Sequence, residues 1–367
     1  MPKLINGLTI PLWVEDLTTP FGIANSLFCG RVVRDRFNVL NQYSQINWDD
    51  SVDRIPSTTE ESLANLMDRR ANELIGNSIT VQWSGGVDST SLLLSLIKNG
   101  ISKEDLVIRY DENSCVEYPM LYKWLVDNKY QMKPVVNDWF KALSTADTDL
   151  IVNGWCADQL FGSVFFYSCP ELYSVDLKTL LDSVSVEKVQ ATEEQKNFAI
   201  EVYKKYAKDL FDLELTTAAE LGWFINFTVK WSYVSLFNEM YLAGTSKQFI
   251  TKPFYDTHYF QSWAISNFKN ISKANMYSEP KEYKKALKEY CNSIFPDQDY
   301  LTSKSKKPSW KAREDKTMSK KRRIVLKTTE GYEIYQALSL FISNKVESLE
   351  QAIFTKFKKQ RIMIYHS

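Results

Sequence analysis

A short run of small and polar residues, Ser84 to Ser89, has the residue types and spacing of an anion-binding loop. It follows the β-prone run 79–83 and precedes a leucine-rich run typical of a buried helix. Two adjacent glycines let backbone N–H groups turn toward one point, and the N-terminus of the following helix adds partial positive charge there. We therefore expect Gly85 and Gly86 to hold phosphate, with Ser84 and Ser89 as hydroxyl donors.

Asp88 stands within this loop and would repel a bare phosphate, so it predicts a divalent cation between carboxylate and phosphates. The expected ligand is a nucleotide with Mg²⁺. No Gly-Lys-Ser/Thr follows at the spacing of a Walker loop, and the GxGxxG of a dinucleotide site is absent. The alternative is an ordinary Gly-Gly turn followed by an aspartate helix cap.

A second polar segment, residues 153–162, follows the β-prone run 149–152 and reads Asn-Gly-Trp-Cys-Ala-Asp-Gln-Leu-Phe-Gly. Together the two segments resemble the PP-loop ATP pyrophosphatases, and in particular the C-terminal domain of asparagine synthetase. That family carries Ser-Gly-Glu-Gly-Ala-Asp-Glu-Leu-Phe-Gly at the second segment. Members of the superfamily cleave ATP to AMP and pyrophosphate while they activate a carboxylate or a nucleobase oxygen.

Looser matches follow in the order of the family. Residues 238–243 and 253–256 are similar to its Asp-Arg-Met-x-Met-Ala and Pro-Phe-Leu-Asp. Residues 284–310 resemble its Leu-Arg-x-Ala, Leu-Pro and Arg-x-Lys-x-Gly-Phe series. The resemblance covers about residues 60–312, with the two loop segments as its most specific part.

The resemblance implies roles for individual residues. Asp88 and Asp158 are expected to ligate Mg²⁺, although a helix cap is an alternative role for Asp158. Lys307, with Lys306 as a competitor, is expected to stabilise charge on the phosphate and the tetrahedral intermediate, unless it is an exposed surface lysine. The residues expected to bind ATP or pyrophosphate are Ser84, Gly85, Gly86, Asp88, Ser89, Gln82, Ile108, Asn153 and Gly154.

The chain departs from the family on the acceptor side. Trp155 stands where asparagine synthetase has the glutamate of Gly-Glu-Gly, and tryptophan cannot exchange protons at neutral pH. Gln159 replaces the second glutamate. Relatives that close β-lactam or macrolactam rings carry a tyrosine in the first of these positions. We expect Trp155 and Gln159 to line an altered acceptor pocket, with packing alone as the other interpretation for Trp155.

Glutamine-using asparagine synthetases begin with a catalytic cysteine directly after the initiator methionine, whereas Pro2 follows Met1 here and the first cysteine is Cys29. The first 57 residues are too few for a complete glutaminase domain. The expected nitrogen donor is therefore free ammonia, an amine on the second substrate, or ammonia from a separate amidotransferase partner.

These features predict an ATP-dependent amide-bond-forming ligase that adenylates a carboxylate, releases pyrophosphate and transfers the acyl group to ammonia or an amine. Two alternatives stay open. The basic segment 304–327 holds eleven Lys or Arg and could close over polyphosphate, contact RNA in a nucleobase- or tRNA-modifying enzyme, or be a solvated loop. The other alternative to the ligase, besides the nucleobase- or tRNA-modifying enzyme, is a catalytically silent nucleotide-binding protein.

Composition narrows the class of protein. A chain of 367 residues with 44% hydrophobic content can form one large domain or two ordinary ones. Five cysteines without a CxxC pair and two histidines argue against a zinc site or a histidine triad. No signal peptide is visible, and the most apolar long window, 221–237, contains Asn226 and Lys230. The expectation is a soluble, cytoplasmic protein with no membrane partner.

The elements that must position these residues follow an alternating pattern. Strands are predicted at 79–83, 106–110, 133–136 and 149–152, with helices between them and a capping box at Thr58–Glu61. The fold class is α/β, and the resemblance implies a parallel sheet of the PP-loop/adenine nucleotide alpha hydrolase-like type, flanked by helices, with its ligand at the carboxyl ends of the strands.

Three segments are predicted along the chain. Residues 1–57 form a small β-rich segment with runs at 8–14 and 27–33, and residues 58–170 form the nucleotide-binding core. Residues 171–367 form a mostly helical remainder of the synthetase domain. In this remainder an aromatic stripe is predicted to pack one face of a long helix into the core. The stripe consists of Trp223, Phe227, Val234 and Phe237.

Overall fold

Five short strands, all parallel, form the central sheet of the computed structural model, in the order β3-β2-β1-β4-β5. The predicted α/β fold with a parallel sheet flanked by helices is confirmed. The strands are β1 (Ile79–Gln82), β2 (Leu106–Tyr110), β3 (Gln131–Pro134), β4 (Leu150–Asn153) and β5 (Ile250–Pro253). The structure describes residues 35–40, 53–135, 148–162, 175–179, 192–231, 234, 250–273, 282–304, 322–328, 331–336 and 362–366.

The order of the strands reverses at β1. From β1 the chain moves outward through β2 to β3, and it then returns to place β4 and β5 on the other side of β1. In a parallel sheet such a reversal leaves a crevice outside the carboxyl ends of the two central strands. The segments that follow β1 and β4 are the two polar motifs, so both lie at this crevice.

Helices cover the sheet, and their positions agree with the alternating pattern. The predicted capping box at Thr58–Glu61 is wrong, because α1 begins after Ser62, whose Oγ accepts a hydrogen bond from the Asn65 N–H at 3.2 Å. The helices are α1 (Leu63–Leu74), α2 (Val87–Lys98), α3 (Glu112–Glu117), α4 (Pro119–Asp127), α5 (Ala157–Phe161), α6 (Glu193–Phe211), α7 (Ala218–Ile225), α8 (His258–Ser266), α9 (Phe268–Lys273), α10 (Lys285–Ile294) and α11 (Gln298–Ser303).

Helix α2, which follows the first motif, is buried between α1 and α10. Its apolar residues Leu92, Leu93 and Leu96 are fully buried in the core, and Ser95 Oγ donates to the Met67 carbonyl at 2.8 Å. A helix held on two sides by other helices keeps its N-terminus fixed relative to the sheet. The first motif is therefore mounted on a rigid element.

The aromatic stripe lies in the core, as predicted for its described members. The rings of Trp223 and Phe227 stack with centroids 5.0 Å apart, and both side chains are buried. The helix is not a continuous α-helix, because α7 passes into a π-helix at Asn226–Lys230. Val234 packs against the core, while Phe237 lies outside the described residues.

The prediction of a mostly helical remainder missed two sets of strands. Strand β5 joins the central sheet beside β4. An antiparallel sheet in the order β7-β6-β8 is formed by β6 (Arg322–Thr328), β7 (Gly331–Gln336) and β8 (Ile362–His366). These runs are rich in β-branched and aromatic residues, which favour strands. The basic residues around β6 do not by themselves favour a strand.

The described part of the N-terminal segment is anchored in the helical half. Asp35 is buried and accepts a hydrogen bond from the Tyr206 hydroxyl at 2.6 Å. The Arg36 guanidinium lies 4.1 Å from the centroid of the Trp231 ring and donates to Gln261 Oε1 at 2.6 Å. The two β-prone runs at 8–14 and 27–33 lie outside the described residues.

Two further observations concern membrane-spanning helices and cysteines. Within the described ranges, the helices lack the length and apolar character needed to cross a bilayer. Cys115, Cys156 and Cys291 are free thiols, while Cys29 and Cys169 lie outside the described residues.

Glu220 caps the start of α7, and this capping generates a stability prediction. Its Oε2 accepts hydrogen bonds from the N–H groups of Thr216 and Thr217, and Oε1 accepts one from Lys269 Nζ at 2.8 Å. Burial opposes ionisation of this carboxyl, but the hydrogen bonds from Lys269 and Thr216 outweigh it and lower the pKa of Glu220. Its contribution to stability is therefore present above the unfolded-state pKa and is lost as pH falls through the folded-state pKa.

We expect Glu220→Gln to lower the free energy of unfolding at neutral pH by about 1–3 kcal/mol, because hydrogen bonds to a charged acceptor are lost. The difference from wild type should shrink in acid, below the ordinary glutamate pKa of 4.5. Urea unfolding at several pH values measures it. Glu214→Gln, at an exposed position in the same loop, is the control and should change little. A deficit of Glu220→Gln that stays constant in acid would contradict the prediction.

Candidate functional site

The loop after β1 is closed by hydrogen bonds between its own serines. The Ser84 N–H donates to Ser89 Oγ at 3.0 Å, the two hydroxyls lie 3.0 Å apart, and Ser89 Oγ donates to the Gly86 carbonyl at 3.1 Å. Gly86 is the N-cap of α2, and no side chain caps that helix end. The first N–H groups of α2 therefore face the crevice with the positive end of the helix dipole.

The two glycines of the loop differ in what they require. Gly85 has φ +75°, and a Cβ atom there would lie 2.6 Å from both the Ser114 carbonyl oxygen and Glu117 Cβ. Gly86 has φ −73°, and its added Cβ would be 3.4 Å from Ser84 Oγ. Only Gly85 is thus fixed as glycine by both backbone conformation and space. It allows α3 to pack directly against the loop.

The second motif approaches the first closely. A Cβ on Gly154, directly after β4, would lie 3.1 Å from Asp88 Cβ and 3.2 Å from the Ser89 nitrogen. Cys156 then adopts a left-handed conformation with φ +70° and serves as the N-cap of α5. This sharp turn brings Asp158, in the first turn of α5, back toward the crevice.

The carboxylates of Asp88 and Asp158 meet on one ammonium group. Lys284 Nζ lies 2.5 Å and 2.6 Å from the two carboxylate oxygens of Asp88, and 2.6 Å from Asp158 Oδ1. The lysine side chain is fully buried, whereas the aspartate side chains are 28% and 31% exposed. The three residues form a cluster that we call the ion triad.

Lys284 is held charged by its partners. Burial alone would lower the pKa of this lysine, but the negative charges of Asp158 and Asp88 outweigh it and raise the pKa. The residue is also the N-cap of α10 and has φ +49°, in the left-handed region of backbone conformation that residues other than glycine rarely adopt. Strained backbone at both Cys156 and Lys284 is typical of a functional site.

Two buried polar residues hold the aspartates from behind. The Tyr255 hydroxyl donates to the Asp88 carbonyl at 3.0 Å and lies 2.6 Å from Ser91 Oγ. Asn226, the first residue of the π-helix, donates to the Asp158 carbonyl at 2.7 Å. π-helical turns often occur at functional sites. The ion triad therefore rests on the turn after β5 and on the helical half as well as on the two motifs.

The donor set can be compared with the predicted metal. Three carboxylate oxygens converge on one cationic position, and carboxylate oxygens are the ligands that Mg²⁺ prefers. Across the residues that the structure describes, no group of three or more His, Cys, Asp or Glu could hold a metal. The residues fit a cation that shares its ligands with a bound anion, as Mg²⁺ does in nucleotide sites.

Other predicted site residues lie at varying distances from this centre. Gln82 is the last residue of β1, next to the loop. Asn153 is the last residue of β4, and its Oδ1 accepts a hydrogen bond from the Trp155 N–H at 3.2 Å. Ile108 was placed at a strand end by resemblance but lies in the middle of β2 with its side chain fully buried in the core. Its side chain therefore does not reach the crevice.

The Gln159 side chain does not join the ion triad. The Gln159 side chain is buried and its amide donates to Asn226 Oδ1 at 3.0 Å, so the polar end that was expected in the acceptor pocket points to the π-helix. Lys307 and its competitor Lys306 lie outside the described residues.

A second lysine lies beside the loop. Lys304 forms an ion pair with Glu117, the α3 residue that packs against Gly85, and both side chains are largely buried. Lys288 Nζ donates to the Lys304 carbonyl at 2.6 Å, and burial lowers the pKa of Lys288 to about 8. Helix α10 thus fixes the backbone of the residue at which the basic segment 304–327 begins.

Sequence reasoning placed Lys284 and Lys304 inside matching segments but gave neither a role. Lys284 is the N-cap of α10 and Lys304 the C-cap of α11, and no local pattern links the two. Tyr255 lies in the matching segment 253–256, but no local pattern predicts its contact, because its partner lies 167 residues away in the chain. Asn226 lies in no matching segment, and its partner is 68 residues away.

The unequal demands on the two loop glycines give a matched pair of variants. Gly85→Ala should lower the free energy of unfolding by about 1–3 kcal/mol, since it combines a left-handed φ with two contacts at 2.6 Å. Gly86→Ala should cost less than about 1 kcal/mol. Chemical denaturation of both variants measures the difference. Equal stability of the two variants would show that α3 does not pack on the loop as described.

Comparison with known proteins adds no family to this geometry. No protein-family model matches the chain, and no curated protein sequence matches it. The resemblance of the two motifs to the PP-loop ATP pyrophosphatases therefore stands on their residues, and the function that it implies is a proposal.

Proposed function

We propose that this chain is an ATP-dependent carbon–nitrogen ligase of the asparagine synthetase type, built on a PP-loop nucleotide-binding core. It adenylates a carboxylate with release of pyrophosphate and then transfers the acyl group to ammonia or an amine. One observation carries the proposal. Asp88 and Asp158, from the loops after β1 and β4, converge on a single cationic position at the reversal of strand order.

The position of the crevice supports a nucleotide as the ligand. Ligands of open parallel α/β sheets bind outside the carboxyl ends of the strands at such a reversal. The uncapped N-terminus of α2 supplies partial positive charge for a polyphosphate, and Gly85 gives the loop before it the left-handed φ that its turn requires. The two aspartates would repel a bare phosphate, so the proposed ligand is the nucleotide with its Mg²⁺.

The chemistry proceeds in two steps. A carboxylate oxygen of the acid attacks the α-phosphorus of ATP, and the bond from that phosphorus to the bridging oxygen of pyrophosphate breaks. The nitrogen nucleophile then attacks the acyl carbon, AMP leaves with the electron pair of the C–O bond, and the amide nitrogen loses a proton. Bound Mg²⁺ would neutralise phosphate charge, held by Asp88 and Asp158.

In this scheme the residues of the chain bind the substrates and orient them for reaction. The loop and the start of α2 fix the polyphosphate, while Tyr255 and Asn226 hold the aspartates in place. Trp155, half-buried at the start of the second motif, is the residue proposed to contact the acid or the amine. The hydrogen bond from Gln159 to Asn226 supports a positioning role for Gln159 in this scheme.

Adenylation is tested by phosphorus NMR of the protein with Mg-ATP, ammonium and pooled carboxylates that include aspartate. We expect AMP and pyrophosphate in equal amounts. Asp88→Asn should reduce both by roughly 100-fold or more, the size typical for loss of one preorganised electrostatic contact. Asp127→Asn, at an exposed aspartate on α4, is the matched control and should retain activity.

Other outcomes of this experiment contradict the proposal. Formation of ADP would exclude adenylation. Unchanged ATP, together with nucleotide binding measured by calorimetry, would favour the catalytically silent nucleotide-binding protein. Turnover that appears only when RNA is supplied would favour the nucleobase- or tRNA-modifying enzyme.

The basic segment raises the question of which lysine stabilises the transferred phosphate. Lys304 is the stronger candidate, because its ammonium pairs with Glu117 beside the loop. We expect Lys304→Met to lower kcat for AMP formation by about 100-fold. If Lys304 carries this role, Lys307→Met should lower it by less than about tenfold. The reverse order of effects would support the assignment of Lys307 by resemblance, and thermal unfolding of both variants separates catalysis from stability.

A further inference from the structure

The ammonium of Lys284 uses all of its hydrogen-bonding capacity within the ion triad. A protonated lysine has three N–H donors, and the three contacts go to Asp88 Oδ1, Asp88 Oδ2 and Asp158 Oδ1. All three distances are 2.5–2.6 Å, which is short for charge-assisted hydrogen bonds. Lys284 therefore cannot donate to a phosphate while it keeps these three contacts.

The same oxygens cannot also hold a divalent ion in that position. Mg²⁺ requires ligand oxygens at about 2.0–2.1 Å in near-octahedral geometry. The ammonium nitrogen already lies at the point where Asp88 and Asp158 converge, with its side chain fully buried. Two cations cannot share this point, because both steric contact and like charge oppose it.

Replacement of the Lys284 ammonium by a divalent ion would change the net charge at the crevice. One ammonium and two carboxylates give the ion triad a formal charge of −1, which repels a polyphosphate. A divalent ion and the two carboxylates that bind it have a net charge of zero. The ammonium released from the carboxylates then gives the crevice a net charge of +1. The exchange changes the local charge by two units in the direction that favours a nucleotide.

We propose that Lys284 is a displaceable internal cation that occupies the divalent-ion position, so that a divalent ion enters only by exchange with its ammonium. The inference rests on the proposed function for the identity of the ligand. The exchange itself depends only on Asp88, Asp158 and Lys284. In this scheme the released ammonium becomes a phosphate-binding group, and the nucleotide with its metal drives the exchange because it uses both cations.

The exchange is tested without nucleotide, by electron paramagnetic resonance of free Mn²⁺ during titration of the protein. Wild type should bind Mn²⁺ weakly. Lys284→Met removes the ammonium and leaves the two carboxylates together, so it should bind one Mn²⁺ at least about tenfold more tightly. Lys284→Arg keeps the positive charge and should bind as weakly as wild type. The double variant Asp88→Asn/Lys284→Met should lose the gain.

Thermal unfolding gives a second readout. Lys284→Met should lower Tm by roughly 5–10 °C in buffer with chelator, because two carboxylates lose their buried partner. Addition of MgCl₂ should restore most of this loss, whereas wild type should shift by less than about 1 °C under the same conditions. If Lys284→Met does not fold, Lys284→Gln replaces it, because its amide can still donate to one carboxylate.

Two results would overturn the inference. Equal Mn²⁺ affinity of wild type and Lys284→Met would show that the ammonium does not occupy the ion position. Weak binding by Lys284→Met or Lys284→Gln would show that the two carboxylates do not form a divalent-ion site. Neither result requires ATP, so a failure of adenylation in the phosphorus NMR experiment remains a separate outcome.

Discussion

The rest of the site depends on the buried contact of one lysine with two aspartates. Lys284, Asp88 and Asp158 lie at the N-terminal ends of three different helices. Their contacts hold these three helix ends together at the crevice. Removing one partner from such a cluster leaves an uncompensated buried charge, which costs several kcal/mol. Tyr255 and Asn226 then serve the triad by holding the backbone of the two aspartates. The two loops, β5, the π-helix and α10 are thereby bound into one arrangement.

Much of the central fold could be predicted from the sequence, because its signals are local. Strand β2 was predicted with its observed bounds, and β1 and β4 within one residue, since buried parallel strands form short apolar runs. Strand β3, a mostly exposed edge strand, was predicted within two residues. Strand β5 could not be predicted, because a run that contains Lys252 and Pro253 resembles an ordinary loop. Only the neighbouring strand β4 makes it a strand.

The candidate site, like the fold, has one part that could be predicted from the sequence and one part that could not. The sequence predicts the loop and the two aspartates because the chemistry of phosphate binding needs particular residues at fixed local spacing. It gives no role to Lys284, since a lysine at the start of a helix is common and its meaning comes from carboxylates 126 and 196 residues away. Ile108 and Gln159 show the converse, since both match motif positions while packing directs their side chains elsewhere.

The separation in sequence of the triad residues also bears on how the chain folds. Strands β1 and β4 pair directly although β2 and β3 lie between them in the chain, and the lysine follows much later. Contacts between distant segments form late, because the entropy of closing long loops must be overcome first. The crevice is thus among the last features to form during folding. A chain still in synthesis therefore exposes two aspartates without their cation until α10 has been made.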